Sequence, residues 1–372
     1  MIKVGITGQN GFIGQHLFRT LNLFPDNFQI VPFDREYFKN ETELNSFVEA
    51  CDTIVHLAAL NRHDDPQVIY DTNVMLVHKL IEACRNTDST PHILMSSSTQ
   101  EERDNLYGQS KKEGRKVLAK WAKEEGAVFT GLVIPNVYGP FGKPFYNSVV
   151  ATFCHQLTHG EQPAIHRDGQ LELIYVGSLV EKIIDCIEQK TNDSNHLISA
   201  DTTVKVSEIL AMLSEFKETY FEKGEIPELT DTFSLNLFNT FRCYIDMEEY
   251  FPVNLTKHAD DRGAFVEVIR LGIGGQASFS TTVPGITRGN HYHTRKIERF
   301  AVIKGKARIE LRLIGTGKVF SFELDGEQPG YVDMPIWYTH NISNIGDDEL
   351  YTIFWINEPY DPEDADTYYE EV

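Results

Sequence analysis

The feature that constrains this chain most is a change of hydrophobic period near Asp246. Ahead of it, short apolar runs alternate with helix-period stretches. "IKVGIT", "DTIVHLAA" and "HILMSSS" read as buried strands, and "NVMLVHKLIEACRN", "KKEGRKVLAKWAKEEG" and "KVSEILAMLSEFKETYFEKG" as helices. Strands alternating with helices imply βαβ units and a doubly wound parallel sheet. Past Phe251 the helices stop, and "GAFVEVIRL", "QASFSTTV", "RFAVIKGKARIELRLI", "GKVFSFEL" and "LYTIFWIN" follow one another across Gly-containing turns. Such a run implies an antiparallel sandwich or barrel. The expected organisation is an α/β domain over residues 1–245 and an all-β domain over residues 246–372. At 372 residues, 41% of them hydrophobic, each half can bury its own core.

Charge and cysteine usage narrow the function. A formal net charge of −21 argues against a nucleic-acid partner, which needs clustered Lys and Arg. The acidic closing stretch "EPYDPEDADTYYEEV" reads as a solvated tail. Cys51, Cys84, Cys154, Cys186 and Cys243 are scattered and odd in number, so they read as small buried hydrophobes rather than a disulfide framework. No charged-then-apolar leader opens the chain, and no apolar run has the length of a bilayer span, so a cytoplasmic protein without membrane insertion is expected.

After the strand "KVGIT" come Gly8, Gly11 and Gly14, followed by helical "QHLFRTL". Glycine suits this place because the turn is tight, its backbone must approach a pyrophosphate, and the helix must pack closely on the strand. The helix N-terminus offers free N–H groups to the anion. The second strand, "FQIVPFD", ends at Asp34 and Arg35. An acidic residue there favours NAD through the ribose hydroxyls, and an arginine favours NADP through a 2′-phosphate. Both stand here, so this stretch leaves the two cofactors open.

Tyr107 and Lys111 are spaced one helical turn apart, on one helix face. The Lys111 ammonium would lower the pKa of the Tyr107 phenol, and a phenol so tuned exchanges a proton with a carbonyl or alcohol oxygen while hydride moves at carbon. Ser98, at the end of a strand, can donate to the same oxygen. Alone, YxxxK is an ordinary helix start; behind a glycine turn and a serine-ended strand it points to a reductase. With "TGQNGFIG", "HLAA", "SSS", "YGQSK" and "IPNVYGP" in order, the first domain resembles the extended short-chain dehydrogenase/reductase family of nucleotide-sugar enzymes. That resemblance implies Ser98, Tyr107 and Lys111 as the catalytic set and Asn136 beside the sugar nucleotide. Its motifs also bring Asn10, Phe12, Ile13, Leu57 and Ala58 to the cofactor. Two departures stand out: Ser98 and Tyr107 are only nine positions apart, which implies a more open pocket, and Leu171 stands where many relatives carry a diphosphate-binding arginine.

In the second domain His291 and His293 alternate by two, so on a strand both imidazoles share a face. Glu298 arrives across a turn and His340 follows in "DMPIWYTHNISN". Three imidazoles and one carboxylate suit a divalent metal such as zinc, iron, nickel or manganese. The full pattern, G-x5-H-x-H-x4-E-x6-G and then P-x4-H-x3-N, resembles the two motifs of the cupin (RmlC-like jelly-roll) barrels, with Trp337 in a place that usually holds glycine. The resemblance implies metal, zinc first, on His291, His293, Glu298 and His340. "ADDRGAFVEV" and "PGITRGNHYH" further resemble the deoxysugar 3,5-epimerase cupins. Asp260, Asp261, Tyr292 and Asp333 are candidates for an epimerase base, and Arg288 for a substrate phosphate.

End to end, the chain resembles the bifunctional capsular polysaccharide enzymes that join a Rossmann-like reductase domain to a C-terminal cupin. "YNSVVATFC", "PGITRGNHYH" and "YTHNISNIGD" carry that likeness. It implies a homodimer, NADP(H) in preference to NAD(H), and a UDP-sugar substrate, UDP-2-acetamido-2,6-dideoxy-β-L-arabino-hexos-4-ulose. The cupin would invert C3, and the reductase would then make UDP-N-acetyl-6-deoxy-L-talosamine, on the route to UDP-N-acetyl-L-fucosamine. The rival readings are a nucleotide-sugar reductase with a structural, metal-binding dimerisation cupin, a dinucleotide-sensing scaffold, and a cupin oxygenase.

Overall fold

The computed structural model describes residues 1–261 and 263–372, and the chain divides into two compact units: Met1–Val149 with Arg167–Val206, and Val150–His166 with Ser207–Val372. Arg262 and the side chains of residues 263–265, within the motif "ADDRGAFVEV", lie outside the described residues. Among the described residues no helix is long and apolar enough to cross a membrane.

The strands of the first unit are β1 (Ile2–Thr7), β2 (Phe28–Val31), β3 (Thr53–His56), β4 (His92–Ser98), β5 (Phe129–Ile134), β6 (Asn136–Tyr138), β7 (Gln170–Tyr175), β8 (Asp193–Leu197) and β9 (Thr202–Lys205). Six of them form one sheet in the order β2-β1-β3-β4-β5-β8, parallel throughout. β3 and β5 are buried along their whole length, which is why they read as continuous apolar runs. In chain order the first helices are α1 (Phe12–Leu21), α2 (Glu41–Ala50), α3 (Pro66–Asn86), α4 (Leu106–Glu125), α5 (Val149–Thr158), which falls in the second unit, and α6 (Val176–Glu188). One apolar layer packs Phe47, Leu80, Leu118 and Trp121 of α2, α3 and α4 on Ile54, Ile93 and Phe129. The other packs Leu17 and Leu21 of α1 and Leu179 and Ile183 of α6 on Val4, Val55 and Leu132. The expected doubly wound sheet is thus formed, and its order reverses between β1 and β3, where such folds open a ligand crevice.

The second unit carries α7 (Val206–Phe216), α8 (Thr232–Arg242) and α9 (Met247–Tyr250) ahead of the strands β10 (Val253–Asn254), β11 (Lys257–Asp260), β12 (Gly263–Val266), β13 (Gln276–Thr282), β14 (Thr287–Tyr292), β15 (Glu298–Lys304), β16 (Lys306–Leu313), β17 (Val319–Asp325), β18 (Gly330–Met334), β19 (Tyr338–Asn344), β20 (Leu350–Ile356) and β21 (Tyr368–Tyr369). Two five-stranded antiparallel sheets, β10-β18-β15-β20-β13 and β17-β16-β19-β14-β21, make the cupin-like jelly roll. Phe300, Val302, Ile309, Leu311, Phe322 and Ile342 fill the core they share. The run "RFAVIKGKARIELRLI" breaks into β15 and β16 at Gly305, whose φ of 82° turns the chain.

Two expectations need correction. "GAFVEVIRL" does not run as one strand to Leu271, because backbone bonds from Ile226 to Arg270 (3.0 Å) and from Gly272 to Ile226 (2.7 Å) draw the chain off the sheet after Val266. The acidic closing stretch is not a solvated tail throughout, since β21 pairs with β14, setting Tyr369 opposite His291 and Tyr368 opposite Tyr292.

Candidate functional site

The glycine turn lies at the switch point of the parallel sheet. Gly8 has φ 79°, and a Cβ there would stand 2.8 Å from the Ala58 nitrogen; one at Gly14 would stand 2.3 Å from the Gly8 oxygen. The Gly11 N–H closes the turn onto the Gly8 carbonyl at 2.9 Å. Leu57 N–H donates to the Thr7 carbonyl (3.0 Å) and Ala58 N–H to the Thr7 hydroxyl (3.4 Å), so Leu57 and Ala58 lie against the end of β1. Asn10 and Gly11 are exposed on the turn, and half-buried Phe12 and Ile13 open α1. Asp34 accepts from the Glu36 N–H at 2.9 Å and so caps the short 3-10 helix Arg35–Lys39, while the Arg35 side chain is 92% exposed. The cradle that a Cβ would fill, together with that exposed arginine, fits a dinucleotide.

Tyr107 and Lys111 sit in the first turns of α4, and Ser98 ends β4. Lys111 is buried and donates to the Ser96 hydroxyl at 3.4 Å; burial draws its pKa down to about 8, with Glu101 pulling the other way. The expected lowering of the Tyr107 phenol does not occur here. Burial pushes it up to about 12, the Tyr146 phenol adding to the rise. Burial also holds His56 down at about 3, with the Lys111 charge second, and its ring meets the Thr7 hydroxyl at 2.8 Å. Ser98 accepts from the Gln100 N–H at 3.2 Å and so fixes its own hydroxyl.

Three further residues hold this set in place, and sequence reasoning passed over them. Asn105 caps α4 by accepting from the Gly108 N–H at 2.7 Å. Gly108 itself is pressed onto the turn after Ser98, for a Cβ there would meet the Gln100 oxygen at 2.1 Å. Buried Asn73 bonds both backbone groups of Leu60 (2.7 and 3.1 Å) and the Ser110 hydroxyl (3.0 Å), which in turn donates to the Tyr107 carbonyl (2.7 Å). "YGQSK" displays Gly108 plainly; nothing in a linear reading singles out Asn73. Asn136 is exposed on β6 and donates to the Glu172 carbonyl at 3.3 Å, while Leu171 is paired with Val204 on β9.

In the barrel, β14 brings His291, the residue after its end brings His293, β15 opens with Glu298, and β19 carries His340. Asn290, at φ 61°, forms a bulge that places His291 opposite His340. One ligating atom from each of the four lies within 4.8 Å of all the others. His293 Nδ1 is 2.5 Å from the Asp366 carbonyl, and His340 Nδ1 is 3.1 Å from the Tyr338 carbonyl. A carbonyl only accepts, so both Nδ1 atoms carry hydrogen and both Nε2 lone pairs turn inward. Those Nε2 atoms stand 3.2 and 3.0 Å from one Glu298 oxygen. Lone pairs against a carboxylate repel unless a cation lies among them. A proton serves His293; the buried His340 Nε2 still makes no hydrogen bond. The donor set therefore fits a divalent metal. Burial holds His291 down at about 4, with His340 adding to it, whereas Glu298, which burial would raise, is kept far below the usual carboxylate range by His293 and His340.

Trp337, at the place that usually holds glycine, keeps the left-handed backbone that glycine would adopt (φ 66°), donates its N–H to the His293 carbonyl at 2.7 Å, and stacks on Tyr292. Arg288 lies opposite Ile342, on the face shared by His291 and His340, and its guanidinium reaches the Thr281 carbonyl of the other sheet at 3.1 Å. Asp333 points the other way. It makes a bidentate pair with Arg299 (2.7 and 2.9 Å) and accepts from the Tyr220 hydroxyl at 2.6 Å, on the face of β15 opposite Glu298. Tyr292 likewise faces away from the histidines, between Trp337 and Tyr368. Asp260 and Asp261 are exposed beside the β11–β12 turn.

A parallel sheet with a glycine-lined crevice and a serine–tyrosine–lysine set, on one chain with an antiparallel barrel that carries a three-histidine, one-glutamate box, defines a two-domain reductase–cupin protein. The sequence matches the NAD dependent epimerase/dehydratase family over residues 4–199 and the Polysaccharide biosynthesis C-terminal domain over residues 258–368. It is 33% identical over 369 residues to the UDP-2-acetamido-2,6-beta-L-arabino-hexul-4-ose reductase of Pseudomonas aeruginosa, covering 99% of this chain and 98% of that one. The crystal structure of the capsular polysaccharide assembling protein CapF from Staphylococcus aureus matches at TM-score 0.63 and 34% identity over 100% of both chains. RMD from Pseudomonas aeruginosa, solved with NADPH, shares the fold alone: TM-score 0.54 and 18% identity over 59% of this chain and 83% of that one. The chain belongs to the NAD dependent epimerase/dehydratase family and, over its full length, to the capsular polysaccharide enzymes that join a reductase domain to a cupin.

Proposed function

We propose that this chain inverts C3 and then reduces C4 of UDP-2-acetamido-2,6-dideoxy-β-L-arabino-hexos-4-ulose, giving UDP-N-acetyl-6-deoxy-L-talosamine for capsule or O-antigen. The observation that carries the reading is the end-to-end match to a relative named for reduction of this sugar class, on a chain that also holds a four-ligand box. The reductase is assigned to residues 1–245 and the epimerase to residues 246–372. A homodimer in the cytoplasm belongs to the same reading.

In the reductase, Gly8, Gly11 and Gly14 leave room for the dinucleotide diphosphate, with Asn10, Phe12, Ile13, Leu57 and Ala58 around it. NADPH is favoured over NADH because the Arg35 side chain, exposed and held only by a surface pair with Glu36 at 3.5 Å, can turn to a 2′-phosphate. When bound, the nicotinamide supplies the hydride that C4 receives. Tyr107 gives its proton to the C4 oxygen, Ser98 donates a hydrogen bond to that oxygen, and Lys111 stabilises the phenolate left behind. Asn136 orients the sugar nucleotide.

In the cupin, His291, His293, Glu298 and His340 hold the metal, zinc in this reading. When bound, it supplies Lewis-acid stabilisation of charge on the 4-keto oxygen. Arg288, beside the box, pairs with a substrate phosphate. The C4 ketone acidifies the C3 proton, so removal and return of that proton inverts the centre, and reduction of the same ketone fixes the result.

A second reading keeps the cupin as a metal-binding dimerisation module, supported by the Pseudomonas aeruginosa relative being named for reduction alone. Deuterium uptake at C3 from D2O without nicotinamide, followed by NMR, separates the two. Uptake by wild type and by Tyr107→Phe, lost in His291→Ala, is the expected pattern. No uptake by any of them, with NADPH-dependent reduction intact, would leave the cupin structural.

A further inference from the structure

The acidic closing stretch bonds to the segment between two ligands of the metal box, and its centre is one side chain. Asp366 is buried, with φ 39°, and its carboxylate accepts four hydrogen bonds. One oxygen takes the Thr294 N–H (3.0 Å) and hydroxyl (2.7 Å); the other takes the N–H groups of Arg295 (3.0 Å) and Lys296 (3.1 Å). Three successive backbone N–H groups turned onto one anion make a nest, and here the anion comes from the protein itself. The nest spans the segment between the ligands His293 and Glu298. The Asp366 carbonyl also takes the Nδ1–H of His293, which leaves the Nε2 lone pair of that ring facing the box.

The neighbours repeat the pattern. The buried Lys296 ammonium donates to the Ala365 carbonyl at 2.6 Å, and the Thr339 hydroxyl, next to His340, donates to the Glu370 carbonyl. Asp364 pairs with Arg295 as well (2.8 and 3.0 Å), but that pair is exposed. A surface pair of this kind contributes little, whereas a buried carboxylate satisfying four donors fixes their geometry.

We propose that Asp366 is a positioning residue of the metal centre, holding the segment between His293 and Glu298 so that the four ligands converge before metal arrives. This rests on the reading that His291, His293, Glu298 and His340 bind a divalent metal. Removing an outer-shell partner of this kind weakens metal binding by about 10–100-fold. Pre-organisation is the reason: without the nest, each binding event must also order that segment.

The test is zinc affinity of the full-length protein by competition with a chromophoric chelator, for wild type, Asp366→Ala, Asp366→Asn, Asp364→Ala and His291→Ala. Asp366→Ala is expected to bind zinc about 10–100-fold more weakly than wild type. Asp366→Asn, which keeps the acceptor for Thr294 but turns a donor toward Arg295 and Lys296, should fall between them, and Asp364→Ala should stay within about threefold of wild type. Equal binding by wild type and His291→Ala would overturn the metal reading itself. Tight wild-type binding matched by Asp366→Ala would overturn this proposal alone. If Asp366→Ala does not fold, as judged by circular dichroism, Asp366→Asn decides on the same scale, and wild-type affinity there overturns the proposal.

Discussion

Gly108→Ala tests whether the start of α4 fixes the reductase geometry. The added methyl would stand 2.1 Å from the Gln100 oxygen and 2.7 Å from its carbonyl carbon, both backbone atoms. Ordinary contact begins at 3.4 Å, so the shortfall at the oxygen is 3.4 − 2.1 = 1.3 Å, and no side chain can rotate away to absorb it. Either α4 lifts, carrying Tyr107 and Lys111, or the turn after Ser98 moves; both pull the set apart. A misplacement of about 1 Å costs on the order of 100-fold in rate. The helix-propensity gain of alanine, about 1 kcal/mol, offsets part of an overpacking cost of about 1–3 kcal/mol, so the chain should still fold. We expect kcat/KM for NADPH-dependent ketone reduction to fall about 100-fold, with deuterium exchange at C3 unchanged. Gly126→Ala is the control: with φ 70° and open space around it, it should cost about 1 kcal/mol of stability and leave the rate alone. A Gly108→Ala enzyme with kcat/KM within about threefold of wild type would refute the reasoning.

Asp333→Ala leaves the Arg299 guanidinium buried and unpaired, at about 3–5 kcal/mol, whereas Arg299→Met combined with Asp333→Leu should recover most of that in urea unfolding; equal midpoints for the single and double variants would count against the pair. Trp337→Ala should destabilise more than Trp337→Gly, by about 1 kcal/mol, because the site keeps a left-handed backbone, and the reverse order in thermal unfolding would mean that φ is relaxed. Burial lowers Lys111 from 10.5 to about 8, so the folded chain sheds that proton before the unfolded chain does. Folding therefore bears the growing cost of the buried ammonium as pH falls from 10.5 to about 8, and the full cost below. Lys111→Met should then unfold at a higher temperature than wild type at pH 7 while losing reduction, with the stability gain vanishing above about pH 10.5; no gain at pH 7 would contradict the burial argument. In the wild type, kcat/KM for reduction should decline as pH rises through about 8, as the free enzyme loses the Lys111 charge, and a flat profile there would exclude that role.

Much of this was legible because it is local. Period and turn glycines carry the parallel sheet and the barrel, and the histidine spacing at the end of β14 carries its half of the box. What escaped were partners far apart in the chain. Asn73 touches Leu60 and Ser110 across 13 and 37 positions, and Asp366 reaches back 72 positions to Thr294. Each is an unremarkable polar residue until the fold places it. Composition misled at the acidic end, since a charge run reads as solvated unless backbone donors turn toward it, and three do. The Tyr107 phenol was misjudged for a different reason. Spacing brings Lys111 to the same helix face but cannot reveal the burial that raises the phenol and lowers the ammonium.

β15 opens with Glu298 and Arg299, one aimed into the metal box and the next into the buried pair with Asp333. The strand thereby works as a two-sided key. Sliding it by one residue one way would thrust the Arg299 guanidinium among three imidazoles and set Phe300 against Asp333; sliding it the other way would strand the Glu298 carboxylate against Asp333. Insertions or deletions within Thr294–Ile297 should therefore be far less tolerated than in the turn at Gly315–Gly317, where both glycines face open space. Length variation among relatives should collect in that turn and be absent from the metal hairpin.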